Sequence, residues 1–310
     1  MTASTTPAAA LAVDHVSRWY GNVVAVNDIS FALGPGVTGL LGPNGAGKST
    51  LLHLMAGLLR PSAGTVEVEG QSAWGRPVMY ARIGLVPERE SVPSFLTGYE
   101  FALLNAKLQR LPDPVAAAHR AIATVELTDA ADRRIATYSK GMRQRAKLAG
   151  ALVHDPPILL LDEPFNGMDP RQRLHMIGLL REMAAQGRTI LFSSHILEEV
   201  ERLADSILVV YAGRLAAAGD YRSIRRLMTD RPHTFRVRSS DDRRLAAALL
   251  GDPTVFGAEL DGERLYVRTS DFGAFTRALP RVAREAAISL LEVSPTDDSL
   301  ESVFSYLVRR

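Results

Sequence analysis

The first 220 residues alternate short aliphatic runs with segments in which apolar residues recur at helical spacing. Short apolar runs predict strands, and helical spacing predicts helices. The predicted strands are 12–17, 29–33, 37–41, 65–69, 82–86, 158–161, 189–193 and 207–211. The predicted helices are 49–59, 172–186 and 196–204, together with a mostly helical stretch over 94–154. Strands that alternate with helices indicate an α/β fold with a parallel core sheet, into which residues 94–154 are inserted.

The pattern changes after Gly219, where elements follow in the order β-α-β-β-α-β with a further helix at the end. The predicted strands are 233–238, 255–260, 264–269 and 288–293, and the predicted helices are 242–250, 272–285 and 299–308. This order is typical of a small ferredoxin-like α+β domain. The sequence therefore predicts a disordered tail at 1–11, a larger α/β domain at 12–222 and an accessory domain at 229–310.

Composition narrows the possible functions. The chain has 310 residues, of which 46% are hydrophobic and 23% charged, as in an ordinary globular protein. A net charge of +2 predicts no basic surface for nucleic acid, and the lack of cysteine excludes disulfides and thiolate metal sites. No apolar run is long enough to span a bilayer, and the uncharged start lacks the basic region of a signal peptide. Any membrane process is therefore expected to involve a partner chain.

Residues 42–50 match the phosphate-binding pattern G-x-x-x-x-G-K-[ST], between a predicted strand and a predicted helix. Glycines let the backbone direct its N–H groups at phosphate oxygens, and a helix N-terminus favours the same anion. We expect the Lys48 ammonium to contact the β- and γ-phosphates of ATP and the Ser49 hydroxyl to bind Mg²⁺. The candidate ATP-binding residues are Gly42, Pro43, Asn44, Gly45, Ala46, Gly47, Lys48, Ser49 and Thr50.

Two carboxylates, Asp162 and Glu163, follow the aliphatic strand predicted at 158–161. In phosphate-loop enzymes a carboxylate at such a strand end holds Mg²⁺, so Asp162 is a candidate metal ligand. Glu163 would then lie beside the γ-phosphate, where it could act as general base towards the attacking water. The alternative is a pair of solvated acids at an ordinary strand end, and the upstream phosphate loop argues against it.

A third segment, of sequence YSKGM, precedes an Ala- and Leu-rich helix. By itself, Ser139 would be an ordinary helix N-cap. The order of the three segments, however, resembles the ATP-binding cassette of ABC ATPases over about residues 10–220. The family's signature loop reads LSGGQ; Ser139 and Gly141 match it, whereas Lys140 and Met142 do not. The resemblance implies that these four residues bind ATP held by the opposite subunit of a head-to-tail homodimer.

The same resemblance places other family landmarks. Tyr20 matches the aromatic residue that stacks on adenine, with a core tyrosine as the alternative. Asp169 matches the loop that crosses to the other subunit. His195 follows a predicted strand and matches the switch histidine that contacts the γ-phosphate, so it joins Glu163 as a candidate catalytic residue.

One position departs from the family pattern. Glu88 stands where the family usually has a Gln that binds Mg²⁺ and signals to the membrane partner. A carboxylate can also bind Mg²⁺, which makes Glu88 a candidate metal ligand; a solvated loop acid is the alternative. In the family this loop and the helical insertion contact the permease, which corresponds here to residues 91–108 together with Glu88.

The resemblance implies an ATPase that uses ATP and Mg²⁺ and drives separate transmembrane permease subunits. It would lie at the cytoplasmic face of the cell membrane as a peripheral protein, with no nucleic-acid partner. The YSKGM loop and the ending at 299–304 are similar to those of single-cassette exporters of drugs, lipids or polysaccharides. Two alternatives stay open, an ABC ATPase that acts on the ribosome or on DNA and an importer ATPase. A single cassette without a coiled-coil insertion argues against the first, and the loop and ending argue against the second.

Overall fold

The computed structural model describes residues 9–89, 92–220, 223–224, 232–262, 264–296, 300–301 and 304. It divides into two compact units, Met1–Ala218 and Gly219–Arg310. Most of the predicted boundary between residues 222 and 229 lies outside the described residues, as does the tail over residues 1–8. The domain limits therefore stay a prediction.

A six-stranded sheet forms the centre of the first unit, in the order β10-β9-β3-β8-β7-β6. Its strands are β3 (Gly36–Leu41), β6 (Ile83–Val86), β7 (Ile158–Leu161), β8 (Thr189–Ser193), β9 (Ser206–Tyr211) and β10 (Arg214–Gly219). Strands β9, β3, β8, β7 and β6 pair in parallel, as predicted. Every residue of β7 and β8 is buried, which explains their continuous aliphatic sequences. Because parallel strands end at one edge, the segments after β3, β7 and β8 meet there.

A second, four-stranded sheet has the order β2-β1-β4-β5 and antiparallel pairing. Its strands are β1 (Leu11–Tyr20), β2 (Val23–Leu33), β4 (Ala63–Val68) and β5 (Gln71–Ser72). Leu11 is fully buried at the start of β1, so the prediction that the disordered tail extends to residue 11 is wrong at that position. The pairing of β1 with β2 contains register shifts, and such irregularities bend a strand. Both strands are longer than the hydrophobic pattern predicted.

Helices flank the central sheet and form the predicted insertion. The helices of this unit are α1 (Lys48–Met55), α2 (Pro77–Tyr80), α3 (Gly98–Leu108), α4 (Pro114–Thr124), α5 (Lys140–Leu152), α6 (Pro170–Ala185) and α7 (Leu197–Leu203). The insertion contains α3, α4 and α5, with two short 3-10 turns before α5. Helix α1 ends earlier than predicted, and Gly57 takes a positive φ of 68° just after it. Within the described part of the chain, no helix combines the length and apolar character needed to cross a bilayer.

The second unit has the predicted β-α-β-β-α-β order. Its elements are β11 (His233–Ser239), α8 (Asp242–Leu249), β12 (Val255–Asp261), β13 (Arg264–Thr269), α9 (Phe272–Glu285) and β14 (Leu290–Pro295). The antiparallel order β12-β13-β11-β14 is the ferredoxin-like arrangement, with Phe235, Leu245 and Phe275 in its core. The last strand begins two residues later than predicted, and most of the predicted helix over 299–308 lies outside the described residues.

Candidate active site

The phosphate loop lies between β3 and α1, where the backbone needs glycine. Gly45 and Gly47 have positive φ angles of 78° and 103°. A Cβ at Gly47 would lie 2.3 Å from the carbonyl oxygen of Ala25, so no larger residue fits without moving the backbone. Gly47 is the N-cap of α1 and offers no side-chain bond. The first N–H groups of α1 thus remain for an anion such as phosphate.

The Lys48 side chain is buried, with 8% exposure, although it carries a charge. Its Nζ donates to the carbonyl oxygens of Gly42 at 2.7 Å and Pro43 at 3.2 Å. An ammonium has three donors, and these two bonds hold it at the loop in a position suited to an incoming phosphate oxygen.

A cleft of about 330 Å³ opens at this loop. Its lining combines the phosphate loop with three acids from two other parts of the sequence, one after β6 and two consecutive ones after β7. The lining residues are Ala25, Asn44, Gly45, Gly47, Lys48, Ser49, Thr50, Glu88, Asp162 and Glu163. Mg²⁺ prefers oxygen ligands and is usually bound by one or two carboxylates together with substrate phosphates. The hydroxyl of Ser49 and the carboxylates of Asp162 and Glu88 fit that preference.

Ser193, at the end of β8, bonds to the Asp162 carboxylate and to the Glu163 backbone, just after β7. Its Oγ donates to Asp162 Oδ1 at 2.6 Å and accepts from the Glu163 backbone N–H at 2.9 Å. Glu163 has a φ of 49°, which is uncommon for a residue with a side chain and is held here by that bond. The neighbouring strand therefore holds the Asp162 carboxylate and the backbone of Glu163.

Glu163 pairs with His195 at the rim of the cleft. The Nδ1 atom of His195 lies 2.9 Å from Glu163 Oε2 and donates to it when the carboxylate is ionised. Burial raises the pKa of Glu163, while His195 and, more weakly, Lys48 act to lower it. A raised pKa makes the carboxylate a stronger base, as a group that takes a proton from water requires.

Comparison with known proteins identifies this arrangement. The sequence profile of the ABC transporter family matches residues 26–166. Nod factor export ATP-binding protein I of Rhizobium leguminosarum bv. viciae is 36% identical over 305 residues, covering 95% of this chain and 93% of that protein. The chain belongs to the ABC transporter ATP-binding proteins. As a member of that family of ATPases, it binds ATP and hydrolyses it to power transport.

Two further relatives agree with this assignment. The daunorubicin/doxorubicin resistance ATP-binding protein DrrA of Streptomyces peucetius is 34% identical over 281 residues, covering 86% of this chain and 85% of that protein. The solved structure of an ATP-binding subunit of an ABC transporter superposes with a TM-score of 0.64 at 31% identity, covering 70% of this chain and 92% of that one.

The signature loop of this ABC protein lies at the start of α5, where Ser139 and Lys140 are exposed. Ser139 is the N-cap, and its Oγ accepts from the Met142 N–H at 3.2 Å. Lys140 is exposed, whereas Gly141 is buried, and a Cβ at Gly141 would lie 1.9 Å from Gln172 Oε1. Among the described residues that line the cleft, none comes from this loop.

Two other predicted residues, Tyr20 and Asp169, are not among those that line the cleft. Tyr20 is 44% exposed, so the alternative of a core tyrosine is wrong, and the Arg18 guanidinium lies 4.7 Å from its ring centre. Asp169 is exposed and caps α6, where its Oδ1 accepts from the Gln172 N–H at 2.8 Å.

Three polar residues at the site were missed by sequence reasoning. Ser193 could have been found, since it ends a buried strand just before His195. Gln144 lies inside α5 and donates to the Glu163 carbonyl oxygen at 3.1 Å. Glu199 is buried beside Ser194, and its pKa is raised by burial and lowered by its bond to Ser194. Nothing in the sequence marks the last two, because their partners are brought together only by the fold.

Proposed function

We propose that the chain is the ATP-hydrolysing subunit of an ABC exporter, working as a head-to-tail homodimer with separate transmembrane permease subunits. The cleft that gathers the phosphate loop, Asp162 and the Glu163–His195 pair is the observation on which the catalytic part of the proposal rests. Both relatives described above match the chain over most of their length, and their names refer to export and to drug resistance. Those names favour export over import or a role on the ribosome or DNA.

In this proposal each side chain at the cleft has one task. The loop N–H groups and Lys48 bind the β- and γ-phosphates, while Tyr20 stacks on adenine. Ser49, Asp162 and Glu88 would hold Mg²⁺, which neutralises charge on the phosphates.

Hydrolysis is assigned to the buried acid and its histidine partner. Glu163 accepts a proton from the water that attacks the γ-phosphate, and its raised pKa suits it to that step. His195, bonded to Glu163 and half exposed, orients the carboxylate and contacts the γ-phosphate. Ser193 keeps both acids in place.

The second half of each site would come from the other subunit. Ser139, Lys140, Gly141 and Met142 are presented at the N-terminus of α5, a position that favours an anion. Because this loop does not line the cleft of its own chain, the γ-phosphate of a partner's ATP is the ligand proposed for it. Asp169, also exposed, would contact the other subunit beside it.

The permease is proposed to bind a groove of about 340 Å³ between the sheet and the helical insertion. Its wall includes Leu58, Tyr80, Leu85 and Phe101, and Leu58 is 53% exposed. Such an apolar groove suits a short helix from a membrane protein. The chain would thus lie at the cytoplasmic face of the membrane, and its net charge of +2 supports the absence of a nucleic-acid partner.

The test is Glu163→Gln, which keeps the shape of the side chain but cannot accept the proton. ATP turnover should fall by at least about 100-fold, because general-base catalysis contributes that much. The variant should still bind ATP and elute as a dimer in gel filtration when ATP and Mg²⁺ are present. Glu182→Gln, on the exposed side of α6, is the matched control. Turnover at the wild-type rate in Glu163→Gln contradicts the base assignment, and a monomer with bound ATP contradicts the shared site.

A further inference from the structure

Lys147 is a buried lysine that the proposed function does not use. Of the chain's four lysines, Lys107 and Lys140 are exposed, whereas Lys48 and Lys147 have exposures of 8% and 5%. Lys48 belongs to the phosphate loop. A second buried ammonium needs a reason, because burying a charge is unfavourable unless it is paired or hydrogen-bonded.

The partners of Lys147 include three consecutive carbonyl groups just after β6. From the middle of α5, its Nζ donates to the oxygen of Pro87 at 2.8 Å, of Glu88 at 3.2 Å and of Arg89 at 3.4 Å. Hydrogen bonds from an ionised donor are stronger than neutral ones. The ammonium therefore fixes the backbone of segment 87–89 against α5.

This contact lies between the two cavities of the first unit that have been assigned roles. Pro87 and Lys147 line the proposed permease groove, while Glu88 lines the nucleotide cleft. Segment 87–89 thus forms a wall shared by both. Its position decides where the Glu88 carboxylate stands relative to Ser49 and Asp162.

We propose that Lys147 is a positioning residue that sets Glu88 in the nucleotide cleft by clamping segment 87–89 to α5. This inference rests on the proposed function, in which Glu88 is a ligand of Mg²⁺. Lys147 touches neither nucleotide nor metal in this scheme. It acts as an outer partner of a metal ligand, and loss of such partners typically weakens metal binding by about 10- to 100-fold.

The test measures binding rather than turnover. The affinity of the full-length chain for a non-hydrolysable ATP analogue is measured by calorimetry across a Mg²⁺ titration and in EDTA. Lys147→Met, which keeps the length of the side chain and removes its donors, should raise the Mg²⁺ concentration for half-maximal tightening by at least about tenfold. Affinity in EDTA should stay within about twofold, because the phosphate loop is unchanged. Lys147→Arg, which keeps the charge and its donors, should restore most of the Mg²⁺ response.

Two controls separate positioning from general damage. Lys107→Met, on the exposed side of α3, should leave the titration unchanged. In a Glu88→Ala background, Lys147→Met should add no further shift, because the two residues act through one path. Should Lys147→Met fail to fold, Lys147→Gln, which keeps one donor group, takes its place.

The outcomes are distinct. A wild-type Mg²⁺ response in Lys147→Met, or a shift that persists without Glu88, overturns the inference. If the wild-type chain fails to bind the analogue even at saturating Mg²⁺, the proposed ATPase site itself is wrong. If Glu88→Ala alone leaves the Mg²⁺ response intact, the role of Glu88 and the inference fail while the phosphate-loop assignment stands.

Discussion

Ser193→Ala should damage both the stability and the chemistry of this protein. Ser193 is fully buried, and its Oγ both accepts from the Glu163 N–H and donates to the Asp162 carboxylate. Leaving a buried N–H without an acceptor costs about 1–3 kcal/mol, and losing a bond to a charged group costs about 1.5–3 kcal/mol. The two losses share one side chain and overlap, so we expect the free energy of unfolding to fall by about 3 kcal/mol. For a unit of this size, Tm should drop by roughly 6–12 °C.

The catalytic effect follows from the backbone of Glu163. Glu163 has a φ of 49° and its N–H is bonded to Ser193, so we expect loss of that bond to shift the proposed base; a catalytic group displaced by about 1 Å can lose about 100-fold in rate. We therefore expect kcat to fall by about 10- to 100-fold while KM for ATP stays nearly constant, because the phosphate loop is untouched. Steady-state ATPase assays well below the lowered Tm separate this loss from unfolding.

Ser206→Ala is the matched control for this experiment. Ser206 Oγ lies 3.0 Å from Thr38 Oγ1 at the other end of the same sheet, so the variant loses one hydroxyl bond without touching the cleft. It should lower Tm slightly and keep kcat. A wild-type kcat in Ser193→Ala, or an equal loss in both variants, would refute the reasoning.

Four other changes test separate features of the structure. Gly47→Ala places a Cβ 2.3 Å from a backbone carbonyl at a positive φ, so ATP affinity by calorimetry should fall by roughly 30-fold, about 2 kcal/mol. His195→Ala removes a group that lowers the pKa of Glu163; that pKa should rise, and the acid limb of kcat/KM against pH should move to higher pH. If the acid limb does not move in His195→Ala, a group other than Glu163 is the base. Tyr20→Ala should weaken ATP binding by about tenfold in a fluorescence titration, whereas Tyr20→Trp should not. Phe275→Ala should lower the free energy of unfolding of the second unit by about 3–5 kcal/mol in denaturant titrations, since this ring is fully buried.

The sequence predicts the core of this fold well because its strands are buried on both faces. Strands such as β7 and β8 are continuous aliphatic runs, and their predicted bounds agree with the structure. The two-residue strand β5 and the one-turn helix α2 are too short to produce a periodic signal, and neither was predicted. Strand β10 is half exposed and rich in alanine, which hides it from a hydrophobicity pattern.

The residues of the site also fall into two groups, those that the sequence predicts and those that only the structure shows. Residues in one continuous motif, such as Lys48 and Ser49, carry their function in their spacing, and the structure brings them into one cleft with the distant acids. Contacts between distant segments leave no pattern in the sequence from which they could be predicted. Gln144 and Lys147 look like ordinary polar positions of an alanine-rich helix, and only the fold places them against Glu163 and segment 87–89.

The close packing of the signature loop against the loop after β7 and the start of α6 has a consequence for the proposed pair of subunits. Gly141 adjoins Gln172, Gly167 adjoins Lys140, and α5 is bonded to the Glu163 carbonyl oxygen, all within one chain. The part of a chain that is proposed to complete its neighbour's site is thus in direct contact with the segment that carries the proposed base of its own site. The nucleotide bound by one subunit would therefore change the binding free energy at the partner's site. Thermodynamic reciprocity requires the partner's nucleotide to have the same effect in the other direction. A pair with one inactive member should therefore be impaired at both sites rather than at one.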